Sequence, residues 1–367
     1  MPHLYAAHVT ISEYGNMPGI SNRKGPICAV LAAALFGVST PFAKLLLGEI
    51  EPIPLAALLY LGSGLGLLVV GIARRSEGAP MKERGLDPGD YPWLAGATLT
   101  GGVLAPIALF TGLRVTPAAT ASLLLNLEIM ATALIAFFVF AEHVGRRALA
   151  AIGVITAAGI VLGSSPQGLS GYSLGAAAVA GACILWGVDN NLTRKISGKD
   201  PLAIAMVKGL AAGGISLFLA LLSRADVPGI QAIAAALVVG FITYGVSIVL
   251  FVMALRELGA ARTSAYFASA PFIGTIVSLL LFREIPGMGF LVALPLFLLG
   301  AALLVGERHA HPHIHERVVH VHRHWHDAFH AHGHPGEDPE EHVHAPAHET
   351  EEHEHAHSPG GHHGPGR

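Results

Sequence analysis

The chain has 367 residues, of which 52% are hydrophobic and only 13% charged, with a mean hydropathy of +0.56. A soluble domain carries about a quarter charged residues, so composition excludes an ordinary soluble fold and indicates an all-α polytopic membrane protein. The formal net charge of −3 sums unlike parts and gives no sign of a nucleic-acid partner.

Residues 1–25 read as a cytoplasmic N-terminal extension. They lack the basic and apolar regions of a cleavable signal, and Met17 is a second candidate start. Ten apolar runs follow, at roughly 27–47, 55–73, 93–113, 117–141, 147–164, 173–193, 201–222, 231–255, 260–282 and 286–306. Each can cross a bilayer core of about 30 Å, and in lipid each must be a helix, because its backbone groups find no other partners. Lys and Arg set the orientation. Arg74, Arg75, Lys82, Arg84, Arg146, Arg147, Arg194, Lys195, Lys199, Arg256 and Arg262 fall in the loops on the N-terminal side, whereas the opposite loops hold only Arg114, Arg224 and Arg283, with Lys44 at a span end. Both termini are therefore expected in the cytoplasm, with the body in the plasma membrane of a prokaryote. Cys28 and Cys183 lie inside apolar runs and read as small buried hydrophobes.

The chain repeats itself. ALFGVSTPFAK (34–44) recurs in CILWGVDNNLTRK (183–195), pairing Phe36-Gly37 with Trp186-Gly187, Ser39-Thr40 with Asp189-Asn190, and Lys44 with Arg194. Pro54-Leu55-Ala56 matches Pro201-Leu202-Ala203, which sets Gly62 and Gly66 on Gly209 and Gly213, small residues at a spacing that lets helices approach closely. GLRVTPAATAS (112–122) aligns with ALRELGAARTS (254–264), and FAEH (140–143) with FREI (282–285). The units are residues 26–164 and 165–306. Five spans per unit is an odd number, so the two copies insert with opposite orientation, as in transporters that build a midplane site between inverted repeats.

These duplicated pieces, with Pro271, resemble the EamA-type members of the drug/metabolite transporter superfamily over about residues 26–306. The resemblance implies a ten-helix exporter or exchanger of small metabolites with a central cavity between two five-helix halves. The chain departs from the family pattern in span 4, where Leu127-Glu128 is followed by Ile129 rather than Pro. It departs again in span 2, where Tyr60-Leu61 stands opposite Lys208.

Polar residues inside a membrane are costly and usually functional. Glu128, beside Asn126, suits a coupling site or a counter-ion to a cationic substrate, or else a structural contact between helices. Asp189, Asn190 and Asn191 form the most polar run in any span, and Asp189 either ligates a substrate or pairs with a neighbouring cation. Lys208 pairs with Glu128 or Asp189, or holds an anionic group. Ser39 and Thr40 adjoin Pro41, which lacks a donor and frees a carbonyl towards the cavity. Tyr244 and Tyr266 line the cavity, or else are packing or interfacial residues. Snorkelling is the default for Lys44, and capping or loop contacts suffice for Glu142 and Glu284. The body suggests no cofactor, and the chain shows no motif of an enzyme.

From residue 307 the chain becomes a His-rich tail that holds 19 of the 22 histidines and few apolar residues, a composition expected to be disordered. His309, His311, His313, His315, His320, His322, His324, His326, His353, His355 and His357 recur at period two, and neutral imidazole suits Zn, Ni, Co or Cu. A many-site metal buffer and a pH-responsive tail both fit this pattern. The chain thus reads as a secondary transporter of a small organic metabolite with a metal-binding tail. A divalent-metal exporter and a membrane metal sensor that transports nothing are the alternatives.

Overall fold

A computed structural model describes residues 24–76, 85–140, 145–164, 171–196, 198–258, 263, 266–305, 310–314, 322–324, 342–344 and 352–356. Residues 1–23 of the N-terminal extension, Glu142, His143, and His309, His315, His320, His326 and His357 lie outside the described residues, and Lys24 and Gly25 already belong to the first helix.

The body is helical. The first span is α1 (Lys24–Gly37) and α2 (Ser39–Leu46), and α3 covers Pro52–Ser76. Next come α4 (Tyr91–Ala97), a π-helical segment (Thr98–Leu104) and α5 (Ala105–Val115), then α6 (Ala118–Leu124), α7 (Leu127–Phe140) and α8 (Arg146–Gly163). The second half holds α9 (Gly171–Arg194), α10 (Pro201–Leu222), α11 (Ile230–Gly240), a second π-helical segment (Phe241–Val246), α12 (Ser247–Leu258), α13 (Ala270–Phe282) and α14 (Met288–Val305). Among the described residues, seven segments are long and apolar enough to cross a membrane: Lys24–Leu46, Pro52–Arg74, Pro88–Val115, Ala118–Val139, Arg146–Gly163, Pro201–Leu222 and Ile230–Phe251. Ala270–Phe282 and Met288–Leu303 are shorter apolar helices. This is a multi-pass membrane protein.

Local chemistry sets several ends. Asp200 caps α10 by accepting the Leu202 N–H at 2.9 Å, with Pro201 at the first turn, where a missing N–H does no harm. Lys199 reaches Asp87 and also Asp90 at 3.1 Å. The two carboxylates, Asp87 foremost, hold its ammonium above the ordinary lysine pKa.

Packing repeats with the sequence. The α1–α12 contact has its counterpart in α5–α9, and α1–α13 in α7–α9, while α3 packs on α10 and α8 on α14. Glycines set the closest approaches. A Cβ on Gly187 would fall 2.9 Å from the Ala131 carbonyl carbon, and one on Gly274 would meet the Gly37 carbonyl oxygen at 2.5 Å. That carbonyl is the one freed by Pro41. It faces Gly274 on α13 rather than a cavity, which corrects the sequence expectation.

The GxxxG reading also needs correction. The α3 glycine that meets α10 is Gly64, whose Cα would lie 2.9 Å from a Cβ on Gly209. Gly62 and Gly66 face Leu237 and Phe241 instead. Two residues along a helix is a rotation of about 200°, so they point away from the face that Gly64 presents.

The chain divides into two compact units, Met1–Glu307 and Arg308–Arg367. Disorder is expected throughout the second, yet its described residues are paired strands. β1 (Ala310–Ile314) lies antiparallel to β4 (Glu352–Ala356), and β2 (His322–His324) to β3 (His342–His344). His-x-His alternation is also a period-two pattern, the period of a strand.

Candidate functional site

Asp189, one of the polar residues singled out in the body, lies against Gly101 in the first π-helical segment, and the Gly101 carbonyl gathers two further side chains. A π turn moves each acceptor's partner to the fifth residue on, and the Ala105 N–H accordingly bonds the Thr100 oxygen. For Gly101 the fifth residue is Pro106, which has no N–H. Its orphaned oxygen is satisfied by side chains: Tyr60 Oη donates at 2.8 Å and Trp186 Nε1 at 2.9 Å. Both residues are buried. Gly101 also lacks a Cβ where one is impossible, because the Asp189 carboxylate occupies that space.

Asp189 is 5% exposed, and a buried carboxylate needs a partner. Lys208 on α10 supplies one by donating to both its oxygens, and Thr193 Oγ1 donates to Oδ1 at 3.0 Å. Of the two pairings open to Lys208, this is the one formed. Glu128 sits in the first turn of α7 and accepts from Asn190 Nδ2 at 2.9 Å, and that amide also donates to Thr132 Oγ1 at 3.1 Å. Asn191, the repeat partner of Pro41, donates to the Gly187 oxygen at 2.8 Å and the Thr132 oxygen at 3.0 Å. The same backbone position is thus left open in one half and filled by an amide in the other.

Aromatic rings continue the cluster towards α1. Tyr60 stacks on Tyr244 with ring centroids 5.5 Å apart, and Phe36 meets Tyr244 edge-on at 5.9 Å. Ser39 and Tyr244 are both buried. Thr40 Oγ1 and Asn126 Oδ1 are buried without a hydrogen-bond partner among the described residues, although Asn126 Nδ2 donates to the Leu123 oxygen at 2.8 Å. Tyr266 is 40% exposed and has no part in these contacts. Sequence reasoning named Tyr60 only as the counterpart of Lys208 in span 2, and did not name Gly101 or Thr132. The visible signal for them was Gly101-Gly102 standing five and four residues before Pro106 in an apolar run.

A second set of polar contacts lies at the turn joining α5 to α6. Lys44 does not snorkel: its ammonium donates to the carbonyls of Leu113, Arg114 and Thr116, at the end of α5. Arg283 ends α13 in the left-handed region at φ 51° and is followed by Glu284. The Glu284 carboxylate accepts the Ala118 and Ala119 N–H groups at 2.8 and 3.0 Å. The expected capping role for Glu284 is met, on a helix 165 residues away in sequence. Ser122 and Ser278 lie behind it, buried, with hydroxyls 3.5 Å apart.

The pattern of the EamA-like transporter family matches residues 23–164 and again 173–306. A protein of Methanothermobacter thermautotrophicus named only as an uncharacterized transporter is 28% identical over 305 residues, covering 77% of this chain and 87% of its own. A solved structure described simply as the crystal structure of a protein superposes with a TM-score of 0.55 at 22% identity. It covers 77% of this chain and 98% of the other, and the likeness shows the fold alone.

Proposed function

The chain belongs to the EamA-like transporter family, and from that premise we propose that it is a secondary transporter exporting a small organic metabolite, amino acid-like or drug-like, by alternating access. Its ten spans form two inverted five-helix repeats with both termini cytoplasmic. Each inter-helix pairing that recurs between the halves supports this reading, as does the family pattern matching twice.

One observation carries the substrate class. Asp189, Lys208 and Glu128 put both signs of charge beside the Tyr60, Tyr244 and Trp186 rings. Lys208 is matched to an anionic group, Glu128 with Asn190 to a cationic or donor group, and the rings to an apolar remainder. Ser39, Thr40 and Asn126 add hydrogen-bonding groups, two of them with unused buried oxygens. On this reading the Glu284 and Lys44 contacts lie at the outer face and hold it closed, and transport requires them to part. The His-rich tail binds divalent metal ions on the cytoplasmic side and tunes transport.

Uptake into inside-out vesicles tests the reading. The labelled pool contains amino acids and other metabolites, with Zn2+ and Ni2+ in parallel. Metabolite accumulation lost in Glu128→Gln and Asp189→Asn is the expected result, and wild-type rates in both variants would sink the site assignment. Metal accumulation that depends on Asp189 would instead establish the rival reading, a divalent-metal exporter fed by its tail.

A further inference from the structure

We propose that Glu128 carries the coupling proton: one proton and the ammonium group of a substrate take turns on its carboxylate, so that proton entry drives export. This rests on the transporter reading above and adds the ion that powers it.

The balance of charge carries the inference. The cluster around Asp189 holds two carboxylates, Asp189 and Glu128, and one ammonium, Lys208. Lys208 donates to both Asp189 oxygens, and that pair is complete. Glu128 accepts a neutral amide, Asn190 Nδ2 at 2.9 Å, and among the described residues no cation pairs with it. It is the eleventh residue of the 22-residue apolar segment Ala118–Val139, about 15 Å from either end at 1.5 Å per residue. An ionised Glu128 leaves the cluster one negative charge in excess, at the depth where a net charge is most costly. One proton on the carboxylate, or one substrate cation against it, brings the cluster to neutrality. The two exclude each other, and that exclusion links their flows.

The surroundings let the proton come and go. α6 stops at Leu124 and α7 starts at Leu127, and the Glu128 N–H bonds the Leu125 oxygen at 3.0 Å, so span 4 is interrupted beside the carboxylate. Interrupted spans are where many membrane carriers hold substrates and coupling ions. Asn190 is exposed, although Cys183 and Trp186 on the same face of α9 are buried. An opening on that face thus reaches the Glu128 hydrogen bond four residues before α9 ends at Arg194, the cytoplasmic end on the proposed orientation. The titratable groups within electrostatic reach of Glu128 are Asp189 and Cys183 on α9, Lys208 on α10, Tyr60 on α3 and Tyr244 in the second π-helical segment. α8 also packs on α7 and has no titratable residue between Ala148 and Gly163. Asp189 and Lys208 hold each other, which leaves Glu128 as the charged group free to exchange a proton.

The cycle balances. A cytoplasmic substrate ammonium displaces the proton: the Glu128 O–H bond breaks, the proton passes to water at the Asn190 opening, and the ammonium takes its place. Once the outer side opens, a proton from outside bonds the same oxygen and the substrate leaves. One proton enters for each substrate exported.

Inside-out vesicles, whose lumen stands for the outside, test this with the labelled amino acid pool and no energy source but an acid lumen. Relative to vesicles lacking the protein, the wild type should accumulate label, and an ionophore that collapses the proton gradient should stop it. A pH dye trapped in the lumen should report alkalinisation when the accumulated compound is added. Glu128→Gln should abolish both signals, and Glu128→Asp, which keeps a carboxyl group, should retain both at a lower rate. Equal loss in the two variants would make the side chain structural and overturn the assignment. Proton flux at the wild-type rate in Glu128→Gln would also overturn it. Wild-type accumulation indifferent to the proton gradient would overturn proton coupling and leave the transporter reading standing. No accumulation under any gradient would overturn both.

Discussion

On the proposed orientation, replacing Glu284 with Gln should release the outer face. Its carboxylate accepts two backbone N–H groups of α6, at 2.8 and 3.0 Å, and a hydrogen bond to a charged group contributes about 1.5–3 kcal/mol. Gln keeps one acceptor oxygen and loses the charge, so the closed state loses about 2 kcal/mol, or roughly 30-fold in the ratio of open to closed molecules. Ser122, 1% exposed behind this contact, is the natural reporter. In a Cys28→Ser, Cys183→Ala background, a Ser122→Cys variant would be labelled with a membrane-impermeant thiol reagent from outside. Glu284→Gln should raise the labelling rate by about the same factor as the population. An unchanged rate would refute the assignment of this contact as a closure. So would an equal rise in labelling at a cytoplasmic reporter, since that describes general loosening rather than a shift between two states.

Lys208→Met leaves Asp189 buried and unpaired. It should destabilise the protein by about 3–5 kcal/mol, read by thermal unfolding in detergent, and adding Asp189→Asn should restore most of the loss without restoring transport. Trp186→Phe and Tyr60→Phe each remove one donor to the Gly101 oxygen and should cost about 1 kcal/mol. The double variant should lose more than the sum, because only then is the carbonyl left without a partner, and strict additivity in the same melts would contradict this. Metal held by the tail requires neutral imidazoles, so binding should be intact near pH 7.5 and lost below the ordinary histidine value of about 6.5. Equilibrium dialysis at pH 7.5 and 5 reads this directly, and equal binding at both would exclude histidine ligation.

The charged part of the site was legible because charge is conspicuous in an apolar chain. Asp189, Lys208, Glu128 and Asn190 stood out by type alone, and pairing Lys208 with a carboxylate was foreseen from the burial each would suffer. Its supports were less visible. Tyr60 and Trp186 are ordinary residues of an apolar helix until a π turn and Pro106 strip Gly101 of its backbone donor. Whether a helix takes a π turn is decided by tertiary contacts rather than by local propensity. The wrong glycine face has a related cause: a helix that is apolar all round gives no amphipathic stripe to say which side meets which neighbour. Lys44 was misjudged because a span-end lysine has solvent as an easy alternative, and nothing local to it reveals the three carbonyls of α5. In the tail, one alternating pattern served both an extended disordered chain and a strand, and sequence alone does not separate them.

Asp189 is in effect a ligand already bound to Lys208. A substrate carboxylate bound at Lys208, as proposed above, must displace this competitor, which α9 of the same chain holds in place and whose effective concentration is on the order of millimolar or higher. Occupancy by a scarce substrate is therefore suppressed, and a bound substrate is readily expelled when the native pair re-forms. Such a transporter would act as an overflow valve, carrying its cargo only once the cytoplasmic level is high. Asp189→Asn should then bind a carboxylate-bearing substrate more tightly than the wild type while moving less of it. Weaker binding by that variant would contradict the idea.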